Sequence, residues 1–153
     1  IQMISQKIKK QFPNIHLHVD SVQALGKLDL KWLGDSTVDS ASFSAHKIGG
    51  FKGCGCLYLK HPKNHQFSLL LGGGQEEGKR AGTENLPGII SFGLVAKEIL
   101  KNSIKTEAIK NLRSYLIDHI RHMPHIHIHG DPEKTIFKSA VVTTNPNDFS
   151  RSP

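Results

Sequence analysis

A lysine that directly follows a serine and a histidine, Ser44-Ala-His46-Lys47, with glycines at 49, 50 and 53, is the segment of this 153-residue chain best suited to covalent chemistry. A lysine amine condenses with an aldehyde to an imine once desolvation or neighbouring cations lower its pKa enough for it to act as a nucleophile. Ser44 and His46 can donate hydrogen bonds to a phosphate, and the glycines let the backbone approach a ligand closely. Upstream, His18-Val-Asp20-Ser-Val-Gln23 sets a carboxylate three residues before an amide. The carboxylate can hold a ring nitrogen protonated while the amide donates to a ring hydroxyl. Downstream, residues 72–85 combine flexible backbone with the Arg80 guanidinium and the Thr83 hydroxyl, a natural set for phosphate or carboxylate recognition. Taken singly, each stretch also reads as ordinary. Asp20 is a turn former beside a solvent Gln23, Lys47 sits in a glycine turn, and Thr83 or Asn85 caps the helix after a surface loop.

The elements that must position these groups follow from periodicity. Ile15, Leu17 and Val19 alternate with His16, His18 and Asp20, the pattern of a strand ending at Asp20. In open α/β sheets the carboxyl ends of strands line the ligand crevice, so Asp20 is placed where a site is expected. A second strand over 38–43 leads into Ser44, and a third spans 54–59. Ile1, Ile4 and Ile8 share a helical face until Pro13-Asn14 breaks the pattern. After Pro87 a helix presents Ile89, Ile90, Phe92, Leu94, Val95 and Ile99 against Lys97, Glu98 and Lys101, and Asn102-Ser103 interrupts it. A further helix to about Arg121 turns Ile109, Leu112, Leu116, Ile117 and Ile120 inward before Met123-Pro124 ends it. Strands at 126–129 and 140–144 follow. His125, His127 and His129 alternate on one face of the first of these. Without acidic or cysteine partners they read as a polar outer face, and no metal site is expected.

Composition bounds the partners. With 37% hydrophobic and 22% charged residues, the chain is neither disordered nor a coiled coil. The net charge of +7 is spread along the sequence with no basic helix interleaved with aromatics, so no nucleic-acid partner is expected. Two cysteines, Cys54 and Cys56, are too few for a disulfide framework and too close in an extended segment to bridge comfortably, which points to a reducing, cytoplasmic address. No apolar run approaches the roughly 20 residues of a membrane span, and residues 1–11 lack the apolar middle of a signal peptide.

The three chemical stretches, in this order and spacing, resemble the pyridoxal-phosphate core of the cysteine desulfurases, the NifS/IscS-like branch of the class V aminotransferase group. There H-x-D-x-x-Q-x-x-G-K, S-(A/G)-H-K before a glycine-rich turn, and G-G-G-x-E-x-G-x-R-x-G-T-x-N recur in this sequence of segments. The resemblance covers about residues 1–133, including Asn111-Leu-Arg113 and His129-Gly-Asp131-Pro. It implies an α/β fold: the partial large domain of an aspartate aminotransferase-like PLP-dependent transferase over 1–101, then a linking helix and the start of a small α+β domain over 102–153. It implies pyridoxal 5'-phosphate as cofactor, with Lys47 as the imine-forming lysine and, once released, the base at the substrate α-carbon. Asp20 is implied to pair with the pyridinium nitrogen, Gln23 to bond the ring hydroxyl, and Ser44 and His46 to hold the phosphate. Thr83 is implied to reach the phosphate in the other subunit of a homodimer. No role is implied for Arg80. The implied reaction converts L-cysteine to L-alanine, leaving the sulfur as a persulfide on an enzyme cysteine for a sulfur-acceptor or scaffold protein in iron–sulfur cluster or thio-cofactor biosynthesis.

The sequence also departs from the family. Phe51 stands where proline is usual, and residues 137–153 leave the pattern. The ring-stacking histidine, the upstream phosphate-binding segment, the arginine for the substrate carboxylate and the persulfide cysteine are absent from this chain. Cys54 and Cys56 occupy apolar strand positions, i and i+2, where a buried and inert thiol is expected. The chain thus reads as a central fragment, poorly suited to catalysis alone and weakly stable or aggregating, because it exposes surfaces that further segments cover. An aminotransferase or selenocysteine lyase shares Asp20, Gln23 and Lys47, whereas Arg80-Ala-Gly82-Thr83-Glu84-Asn85 favours the desulfurase branch. A decayed, non-catalytic desulfurase acting as an interaction module is the remaining alternative.

Overall fold

A computed structural model of the chain describes residues 1–64, 68, 70–101, 106–131 and 140–144. The expected helix break at Asn102-Ser103 and most of the divergent stretch 137–153 lie outside the described residues. The chain divides into two compact units, Ile1–Asn102 and Ser103–Pro153.

In the first unit, helix α1 (Gln2–Gln11) carries Lys9 and Lys10 in its last turn, where cations oppose the helix dipole. Strand β1 (His18–Asp20) pairs in parallel with β2 (Ser40–Ser44), which pairs antiparallel with β3 (Gly55–Leu59), giving the order β1-β2-β3. The crossover from β1 to β2 contains one helical turn, α2 (Trp32–Asp35), which periodicity does not announce. Its Leu33 packs with Val38 and Ala41 into the buried core, and Leu17, Val19, Trp32, Phe43 and Tyr58 close around it. The β2–β3 connection runs through a 3-10 helix, Ala45–Ile48, and a glycine turn in which Gly49 takes φ 94°, a left-handed conformation suited to a residue without Cβ. Helix α3 (Leu86–Lys101) packs against that 3-10 helix.

Two expectations about helix faces are corrected. Ile1 and Ile4 are 60% and 59% exposed, because among the described residues α1 buries only Ser5, whose hydroxyl donates to the Gln2 carbonyl and accepts from Thr37. On α3, Ile89, Ile90 and Leu94 are exposed, while Phe92, Val95 and Ile99 are half-buried.

Asp39 ties α1 to the sheet. Its carboxylate accepts from the Leu17 N–H at 2.8 Å and pairs with the Lys9 ammonium at 2.7 Å. Burial pushes the carboxyl upward, but the Lys9 and Leu17 hydrogen bonds and the Lys9 and His16 charges outweigh it and hold its pKa below the ordinary value. A lowered folded pKa stabilises the fold above the unfolded value of about 3.9, and that contribution is lost as pH falls through the lower folded value. Asp39→Ala, which leaves the Leu17 N–H without its acceptor, is expected to cost about 1–3 kcal/mol at pH 7. Asp39→Asn keeps an acceptor and should cost less. Urea melts across pH check this: the gap between wild type and Asp39→Ala narrows below about pH 4, and a pH-independent gap contradicts the assignment.

In the second unit, helix α4 (Thr106–Ile120) is followed by β4 (Ile126–His129), which pairs antiparallel with β5 (Val141–Thr144). Ile117 is buried and Ile109 and Ile120 are half-buried, but Leu112 and Leu116 are exposed, so only part of the apolar face expected on α4 packs. His125 is not on the strand. It precedes β4 in left-handed backbone, φ 73°, which leaves His127 and His129 as the outward pair.

Candidate active site

Parallel pairing decides which side chains can meet. Asp20 ends β1 opposite Ser42, and Ser44 ends β2 two residues further on, so both stand at the same carboxyl edge of the pair. The Ser21 N–H donates to the Ser42 carbonyl at 3.0 Å and carries the ladder past the strand end. Directly after Ser44, the 3-10 helix holds His46 and Lys47, both exposed, around a fully buried Ala45. Ala45 is clamped from both sides: its N–H donates to the Cys54 carbonyl at 3.0 Å, and its own carbonyl accepts from the Gly50 N–H at 2.9 Å. A Cβ at Gly50 would lie 3.0 Å from the Ala45 Cβ, so the turn closes this tightly only with glycine there. Helix α3 braces the far end of the turn, where the Phe51 N–H donates to Ser91 Oγ at 3.0 Å.

The site side chains are preset by short polar contacts. Asp20 Oδ1 accepts from the Val22 N–H at 3.0 Å, an Asx turn that fixes the carboxylate at the strand end. Ser44 Oγ and His46 Nδ1 are 2.8 Å apart. Whichever of the two donates, one hydrogen remains to be offered outward: His46 Nε2–H if serine donates, the serine hydroxyl if histidine does. Gln23 Oε1 accepts from the Lys27 ammonium, so its amide N–H groups stay available to an acceptor. Lys27, the lysine that closes the H-x-D-x-x-Q-x-x-G-K motif, thus contacts Gln23 four residues upstream, a role the motif alone does not assign it. Lys47 is exposed, so the described residues alone do not supply the desolvation that the expected imine chemistry calls for.

Among the described residues no hydrogen bond or ion pair joins Thr83 to Asp20, Gln23, Ser44, His46 or Lys47. Its loop is organised by Arg80, whose guanidinium donates to the Gly82 carbonyl at 2.9 Å and the Thr83 carbonyl at 3.3 Å, and by Gln75, whose Oε1 accepts from the Gly82 N–H at 3.3 Å. Asn85 caps α3 by accepting from the Gly88 N–H at 3.1 Å.

An open groove of about 640 Å³ lies against β3 and α3, lined by Cys54, Cys56, Leu57, Arg80 and Phe92 among others, and it includes none of the six candidate residues. Its walls correct the expectation for the cysteines: Cys54 is half-buried, just before β3, and Cys56 is exposed. Desolvation by the groove walls, then the neighbouring Cys54 and Glu76, nevertheless push the Cys56 thiol above its ordinary pKa. At neutral pH it is a protonated thiol and a weak nucleophile.

The family model of the class-V aminotransferases matches residues 1–151. The chain belongs to that family. A cysteine desulfurase of Bradyrhizobium diazoefficiens is 50% identical over 93 residues, covering 61% of this chain and 23% of the relative. The cysteine desulfurase IscS of Clostridium botulinum is 42% identical over 119 residues, covering 76% of this chain and 30% of the relative. The chain thus spans about a quarter to a third of the curated relatives it matches. Among solved structures, a NifS-like protein superposes with a TM-score of 0.79 at 34% identity over 92% of this chain and 38% of that one. The α/β fold is that of the NifS-like PLP-dependent enzymes within the class V family. No helix among the described residues is long and apolar enough to cross a membrane.

Proposed function

We propose that this chain carries the cofactor-binding middle of a pyridoxal 5'-phosphate-dependent cysteine desulfurase, which takes sulfur from L-cysteine, releases L-alanine and passes the sulfur on through a cysteine persulfide. The observation that carries this reading is the convergence of Asp20 and Ser44-Ala-His46-Lys47 at one carboxyl edge of the β1–β2 pair, in a chain whose class V relatives bear the desulfurase name.

The residues present fit the cofactor. A carboxylate fixed by its own Asx turn, an amide oriented by Lys27, a serine–histidine pair with an outward hydrogen and a lysine on a clamped turn form a donor set complementary to a protonated ring nitrogen, a ring hydroxyl, a phosphate and an aldehyde. When bound, pyridoxal phosphate supplies an electron sink for a carbanion at the substrate α-carbon. Asp20 would keep the ring nitrogen protonated, Gln23 would donate to the ring hydroxyl, Ser44 and His46 would bind the phosphate, and Lys47 would hold the aldehyde and serve as the base for the substrate α-proton. Thr83, on a loop pinned by Arg80, serves the site of the other subunit in a homodimer. Residues 1–101 belong to the cofactor-binding large domain and 102–153 lead into the small domain. Free Cys54 and Cys56 suit a cytoplasmic enzyme, and the sulfur is delivered to an acceptor or scaffold protein for iron–sulfur cluster or thio-cofactor biosynthesis.

An absorption spectrum of the full-length protein containing this segment, taken before and after borohydride beside Lys47→Ala, tests the reading. The expected outcome is a visible band that borohydride removes, with the cofactor fixed to the peptide carrying Lys47 and no such label in the variant. A protein that stays colourless with added pyridoxal phosphate overturns it.

A further inference from the structure

We propose that His127 and His129 form a surface chelate for a divalent transition metal of the imidazole-preferring class, with Ni2+, Cu2+ and Zn2+ as its members. Strand β4 alternates half-buried Ile126 and Ile128 with exposed His127 and His129, so the two imidazoles rise side by side from the outer face. Their ring centres are 4.7 Å apart and the planes cross at 79°. A metal held by two imidazole nitrogens at about 2.0–2.1 Å, with a ligand–metal–ligand angle between square and tetrahedral, sets ring centres roughly 4.5–5.2 Å apart. The 4.7 Å between the ring centres falls within that range.

The neighbouring strand supplies the support that metal-binding histidines need. His129 Nε2 is 2.9 Å from Thr143 Oγ1, on the residue paired with His127 in the β4–β5 register. A hydroxyl bound to one ring nitrogen orients the imidazole and leaves the other nitrogen, here Nδ1, for the metal. Alternation alone reads as a polar face; the ring separation and the Thr143 contact are what add the site. Among the described residues no cluster of three ligating side chains forms, and a metal held by two imidazoles with open positions exchanges freely, unlike one in a closed structural centre. The proposal does not rest on the desulfurase reading, because neither histidine belongs to that site.

Ni2+ titrated into the 153-residue chain is the test, since it does not oxidise Cys54 or Cys56. Calorimetry should show about one equivalent bound ahead of any weaker sites, and paramagnetic broadening should reach the His127 and His129 ring protons before those of any other histidine. His127→Gln and His129→Gln should each weaken binding by about tenfold or more, while His119→Gln on α4 leaves it unchanged. Copper should bind more tightly than nickel when the cysteines are blocked. Undiminished binding in the double variant overturns the site, and so does broadening that begins at other histidines. The broadening pattern is read on the wild-type chain and decides the matter even if a variant fails to fold.

Discussion

Replacing Asp20 with asparagine in the full-length protein should lower turnover of L-cysteine by at least about a hundredfold while leaving the fold and cofactor uptake in place. The substitution separates the turn contact seen at Asp20 from the cofactor pairing proposed for it. Its Oδ1 accepts from the Val22 N–H and holds the turn after β1, and an asparagine oxygen accepts the same bond. Under the proposed pairing its negative charge would stabilise a proton on the ring nitrogen of the cofactor, and a neutral amide would not. The turn therefore survives and the charge is lost. Asp20→Ala removes both and should lower stability as well, so the difference between the two variants isolates the electrostatic contribution. Alanine formation and the thermal melt, measured on the same preparations, check the result. Turnover within twofold of wild type in Asp20→Asn overturns the assigned pairing.

The strand ends were legible because they combine a period of two with a change to polar chemistry. Asp20 terminates β1 as the alternation predicts, β2 runs over Ser40–Ser44 where the sequence predicts a strand over 38–43, and Asn85 caps α3 as its type and position suggest. What sequence spacing could not show is contact between distant residues. Ser40 Oγ lies 2.8 Å from both His16 Nε2 and His18 Nδ1, and Asp39 reaches Lys9 and the Leu17 N–H, all through pairings that exist only once β2 lies beside β1. Helix faces failed for a different reason. Periodicity reports that a face is apolar, but burial also requires something to cover it. Ile4 and Leu112 satisfy the first condition and not the second. Cys56 fails in the same way on a strand, since its face borders the open groove rather than a packed layer.

That distinction predicts a large difference in stability between two apolar positions. Leu33→Ala should destabilise the first unit by about 2–5 kcal/mol, because Leu33 is 6% exposed and its side chain fills the space between Val38, Ala41 and their half-buried neighbours. Ile4→Ser removes a comparably apolar side chain, but one that is 59% exposed, and should change stability by no more than about 0.5 kcal/mol. The contrast is amplified by the small size of this core. Leu33, Val38, Ala41 and Ala45 are the buried hydrophobic residues among those described in the first unit, and two of the four are alanines. A loss of 2–5 kcal/mol is then a large part of the roughly 5–15 kcal/mol that separates folded from unfolded domains. At about 4–8 °C per kcal/mol for a unit of this size, Leu33→Ala should lower Tm by about 10 °C or more, while Ile4→Ser leaves it nearly unchanged. Equal losses in the two variants would show that the apolar face of α1 is covered in solution, by a second copy if the loss diminishes on dilution.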